Sequence, residues 1–138
     1  ERVGGRTPII IPHLGGLNGG FGALFEAGVW DADTVYADTA LASTWEMQIF
    51  LQRYGSRKLL FGSDFPFGIP SSELLKVRHL GLKDEDFENI VSRNVLGLIR
   101  QVQGAVRSGN VTPENQKERI RIIFHPLRSS ALHNFLTS

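Results

Sequence analysis

Three short apolar runs punctuate the chain, Pro8 to Ile11, Val35 to Ala37 and Leu59 to Phe61, and each is followed by a helical pattern. Runs that are apolar throughout, rather than alternating, mark parallel strands buried on both faces. Each run leads into a polar residue: His13 in Ile-Ile-Ile-Pro-His, Asp38 in Val-Tyr-Ala-Asp, and Asp64 in Leu-Leu-Phe-Gly-Ser-Asp. These three residues are spaced 25 and 26 apart, a near-constant period that predicts successive βα units. Right-handed crossovers between parallel strands bring all their carboxyl ends to one rim. His13, Asp38 and Asp64 are therefore expected to share that rim.

The intervening segments carry helix signals. Phe21, Leu24, Phe25 and Gly28 fall at i, i+3, i+4 and i+7, one face of a helix that follows a glycine-rich turn. Ser43 and Glu46 have capping-box spacing, Trp45, Ile49 and Phe50 form the expected core stripe, and Gly55 is a natural stop. Pro70 and Ser71 open a helix with Leu74, Leu75 and Val77 that stops at Gly81. Asp84 is the expected cap of a short helix reaching about Val91. Asn94 is the expected cap of a last one with Leu96, Leu98, Ile99 and Val102 facing inward.

With 138 residues, of which 41% are hydrophobic, the chain has material for one core. Residues 1–104 are read as the βα units and residues 105–138 as a basic tail without an assigned element. In the tail Thr112 and Pro113 suit a helix start, while Ile120 to Phe124 suits a strand equally well. Its two histidines, His125 and His133, have no motif between them. The net charge of +1 supplies no basic field for a phosphate backbone, so nucleic acid is not an expected partner. No apolar run is long enough for a bilayer and no signal peptide opens the chain, so the expectation is a cytoplasmic protein without a membrane partner. The absence of cysteine leaves any metal to histidine and carboxylate ligands.

Asp64 stands where βα folds place catalytic groups, at the rigid end of a strand; a loop aspartate that accepts backbone N–H bonds fits the same position. His13 suits a metal ligand or a base near neutral pH, but taken alone it reads first as a partly buried histidine bonded to a loop carbonyl. The glycines after it, Gly15-Gly16 and Gly19-Gly20, match neither the G-x-G-x-x-G nor the P-loop pattern. Asp38 reads as a residue that satisfies loop amides. Arg57 and Lys58 read as solvent contacts on the opposite rim, and His79 as a partner of a helix dipole.

Taken together, Ile11-Pro12-His13-Leu14-Gly15-Gly16, Val35-Tyr36-Ala37-Asp38-Thr39, Leu59-Leu60-Phe61-Gly62-Ser63-Asp64-Phe65-Pro66 and Arg93-Asn94-Val95-Leu96-Gly97-Leu98 resemble the carboxyl-terminal part of the amidohydrolase-related (family 2) metal-dependent hydrolases. That group includes decarboxylases of the aminocarboxymuconate-semialdehyde type. The resemblance spans roughly residues 8–100 and implies an α/β fold, the last strands of a (β/α)₈ TIM barrel. It also implies that Asp64 is a metal-binding and proton-accepting carboxylate after the final strand. His13 would be the histidine after the sixth strand, which binds metal or acts on the attacking water. The implied cofactor is a divalent metal, zinc by expectation with manganese and iron as alternatives. The implied reaction is C–N hydrolysis or decarboxylation of a small-molecule substrate by metal-activated water. The resemblance gives Asp38 no catalytic role.

The family's His-x-His pair is missing among His13, His79, His125 and His133, and three βα units cannot close a barrel. The chain is therefore expected to be a carboxyl-terminal fragment of a longer enzyme, inactive alone, and a Glu at residue 1 agrees with this. The rival expectation is a non-catalytic module that binds a partner or forms a homo-oligomer through open strand edges.

Overall fold

The structure, a computed structural model, describes residues 8–16 and 19–107. It is a mixed α/β arrangement in the order β1 (Ile9–Ile11), α1 (Gly20–Glu26), β2 (Val35–Asp38), α2 (Thr44–Tyr54), β3 (Leu59–Leu60), α3 (Pro70–Arg78), α4 (Asp84–Glu88) and α5 (Asn94–Arg107). The strands form one parallel sheet in the order β1-β2-β3, with Ile9 beside Val35 and Ala37 between Ile11 and Leu59. No closed barrel is present among the described residues.

Strand alternation sorts the sheet residues into two faces. Ile9, Ile11, Val35, Ala37 and Leu59 point toward a core built on Leu14, Trp30, Met47, Phe50, Val77 and Ile90. Trp30 is its centre, edge-on to Phe50 at 5.3 Å and to Tyr54 at 5.9 Å. The opposite face carries Ile10, Tyr36, Asp38 and Leu60, none of which belongs to that core cluster, and Ile10 is 41% exposed. The expectation of strands covered on both faces is thus met at Leu60, in part at Tyr36 and Asp38, and not at Ile10. On the outer side of β1, no strand pairs with it among the described residues.

The α2 capping box forms as its spacing predicts: Ser43 Oγ accepts from Glu46 N–H at 3.1 Å, and Glu46 Oε2 accepts from Ser43 N–H at 2.9 Å. Its buried face differs from the expected stripe. Met47 and Phe50 are buried while Trp45 is 63% exposed, because the row 47, 50, 54 sets the rotation of the helix against the sheet. Beyond α3, Lys83 rather than Asp84 is the N-terminal boundary residue of α4, and Asn94 lies within a continuous helical run instead of capping the start of a new one. The chain runs from α4 through a π-turn, Asn89–Arg93, straight into α5. Asn94 Nδ2 instead donates to the carbonyls of Ser56 and Leu59, at 2.8 and 2.7 Å. That bond holds only the start of α5 to β3; Leu96, Ile99 and Val102, expected inside, are exposed among the described residues. Lys58 is not a bare solvent contact, since its ammonium donates to the carbonyls of Trp30 and Ala32.

The assigned boundary at 104 falls inside α5, and the tail readings for 108–138, His125 and His133 included, lie outside the described residues. No helix among the described residues is long and apolar enough to cross a membrane.

Candidate functional site

β1 ends at Ile11, and the following turn places His13 (φ 58°, ψ 29°) and Leu14 (φ 51°, ψ 22°) in the left-handed region. That conformation is unfavourable for residues with a Cβ and persists only where the surroundings enforce it. Two contacts enforce it here: the Leu14 side chain is fully buried in the core, and the His13 backbone N–H donates to Asp38 Oδ1 at 2.8 Å. The same oxygen accepts the N–H of Ala40 at 3.0 Å. His13 Nδ1 lies 3.0 Å from the carbonyl oxygen of Ala40, and since a carbonyl only accepts, Nδ1 is the protonated nitrogen.

The loop after β2 is pinned at each step. Thr39 Oγ1 accepts from Gly62 N–H at 3.1 Å and its hydroxyl faces Gly62 O at 3.3 Å, tying this loop to the end of β3. Leu41, also at positive φ, donates its N–H to the buried Glu73 carboxylate, which Lys76 neutralises at 2.6 Å. Gly62 sits in a tight position, because a Cβ there would lie 3.3 Å from both Ala40 Cβ and Asp38 Cγ.

Asp64 follows β3 at φ 53°, and its backbone carbonyl accepts the N–H groups of Phe67 and Gly68. Its carboxylate makes no hydrogen bond among the described residues, so the loop-cap role falls to the backbone and leaves the side chain available. Exposed Phe65, Phe67 and Ile69 flank it. The three strand-end residues are electrostatic neighbours. Burial pushes the Asp38 carboxyl above its ordinary value, the His13 and Ala40 N–H bonds and the His13 charge pull it back, and the Asp64 charge raises it.

The structure thus bonds Asp38 to the His13 loop, while Asp64 acts on Asp38 through its charge alone. Thr39, read with Asp38 as part of a pair that satisfies loop amides, accepts the Gly62 N–H, whereas Glu73 had only its first-turn position in α3 as a signal. The glycine-rich turn leads into a helix of seven residues, too short to serve as an anion site. A separate groove, lined by Gln48, Gln52, Leu82 and Asp86, lies toward the opposite end of the sheet, and its carboxylate is already bonded to Ser56 Oγ at 2.6 Å.

An imidazole and carboxylates suit a divalent metal in kind, but a catalytic zinc ion takes three protein ligands. Among the described residues no group of three histidine or acidic side chains is placed to hold an ion. The donors fit in kind and not in number, and the described residues do not make a metal site by themselves. Comparisons with family models, with curated proteins and with solved structures yield no match to this chain.

Proposed function

We propose that the chain supplies the last strands of an amidohydrolase-like (β/α)₈ barrel, and that His13 and Asp64 are its contribution to a small-molecule hydrolase or carboxy-lyase site. The observation that carries this reading is the second face of the sheet. On that face Ile10 is exposed and Tyr36 half-buried, and no described strand pairs with the outer side of β1. A parallel sheet needs cover on both faces, and in a barrel such a face turns inward and is filled by side chains of the other strands. The polar residues at the carboxyl ends then stand at the barrel mouth, where βα enzymes do their chemistry.

Within such a site, His13 offers an unprotonated Nε2 and Asp64 an unbonded carboxylate, two groups able to take or return a proton. The remaining donors would come from polypeptide outside the described residues, so the chain alone is expected to turn over no substrate. The exposed Ile10 and the unpaired β1 edge also favour a second reading, a non-catalytic module that associates with further copies or another chain.

Zinc calorimetry on the full chain, with sedimentation velocity alongside, separates the two. The first reading predicts weak zinc uptake, held by these two donors, that is lost in both Asp64→Asn and His13→Ala. Uptake unchanged in these variants, or none at all, overturns it, and concentration-dependent association in that case favours the second.

A further inference from the structure

We propose that Asp38 is the positioning residue of this site, fixing His13 as the Nδ1–H tautomer so that Nε2 is the nitrogen presented at the rim. The geometry is a closed circuit of three bonds. One carboxylate oxygen takes the N–H groups of His13 and Ala40, at 2.8 and 3.0 Å, and this places the Ala40 carbonyl 3.0 Å from His13 Nδ1. A carbonyl has no proton to give, so the imidazole proton sits on Nδ1. Nε2 has no hydrogen-bond partner among the described residues. The order of cause is from carboxylate to backbone to ring, because the residue holding the circuit together has no contact with the imidazole through a hydrogen bond of its own.

A free histidine side chain in water favours the other tautomer, with the proton on Nε2. A histidine locked on Nδ1 therefore reports its surroundings, and it has the lone pair that a base or a metal ligand requires. What Nε2 does with that lone pair rests on the function proposed above, whereas the tautomer follows from the three bonds alone.

The test is long-range ¹H–¹⁵N NMR of the full chain without metal at about pH 8, where an ordinary imidazole is neutral. The wild type is expected to show His13 with an unprotonated, strongly downfield Nε2. Asp38→Asn keeps an acceptor oxygen and is expected to retain that signature, while Asp38→Ala is expected to shift His13 toward the Nε2–H form. His79, whose Nδ1 lies 2.7 Å from the Leu75 carbonyl, is the internal reference and is expected not to move. If Asp38→Ala fails to fold by circular dichroism, Asp38→Glu, which displaces the oxygen by one methylene, replaces it with the same expected shift. An Nε2–H His13 in the wild type overturns the proposal, as does an unchanged tautomer in the folded Ala or Glu variant. Because no metal is added, a failure here is distinct from a failure of the zinc experiment.

Discussion

His13 and Asp38 stand 25 residues apart and are joined by a 2.8 Å bond from the backbone N–H of the first to the carboxylate of the second. The bond locks the end of β1 to the end of β2 and holds a residue with a side chain in a backbone region it otherwise avoids. A hydrogen bond to a charged acceptor contributes about 1.5–3 kcal/mol, enough to offset one strained residue. The position of the candidate base therefore depends on a neighbour that touches only its backbone.

Burial raises the Asp38 pKa, and this gives its stability contribution a definite sign with pH. A carboxyl that binds its proton more tightly when folded stabilises the fold fully below its unfolded pKa, near 3.8, and that contribution is lost as pH rises through the raised value. Asp38→Asn has no such proton. Urea unfolding is expected to show the variant gaining stability relative to the wild type as pH is raised from about 3 to about 6. A difference that is flat, or that runs the other way, contradicts the assignment of burial as the leading cause.

Gly62→Ala is expected to destabilise the fold by about 1–3 kcal/mol, the usual cost of a methyl forced into a packed position. Its Cβ meets Asp38 and Ala40 at 3.3 Å, so the perturbation is expected to appear in the His13 and Ala40 amide resonances before those of distant α3. Chemical-shift mapping beside urea unfolding checks both parts, and a silent substitution would mean the two loops are looser than the distances imply.

Asn94→Ala removes one amide group that serves two carbonyls, those of Ser56 and Leu59. Leaving partly buried acceptors without a donor costs about 1–3 kcal/mol. Loss of that order in thermal or urea unfolding is expected, together with faster amide exchange in the first turn of α5. A loss typical of a surface substitution would show that α5 is held by other contacts.

The sequence made the strands and their shared rim legible because buried parallel strands are written as unbroken apolar runs, and each here leads into one polar residue. The α2 cap was legible because both partners lie three residues apart. Asp38 was legible as an acceptor of loop amides, and it accepts those of His13 and Ala40; that one of them lies in the loop after β1 had no side-chain signature. Trp45 was misplaced because the first turn of an amphipathic helix fits several rotations, and only the sheet selects the row through Met47 and Phe50. Asn94 looked like a cap because asparagine suits that role, but a continuous α4-to-α5 run left its amide free for Ser56 and Leu59. The barrel itself was read from a resemblance and not from spacing, and the open face at Ile10 is the physical observation that supports it.

The central claim, that His13 and Asp64 form one ligand pair at the strand ends, is tested most directly by paramagnetic titration. Mn²⁺ added in small amounts to the full chain broadens NMR signals near any site it visits, including a weak site with too few ligands. The account predicts broadening centred on the His13 ring and the residues around Asp64, abolished by Asp64→Asn. Broadening elsewhere only, or broadening at His13 that survives Asp64→Asn, would contradict it.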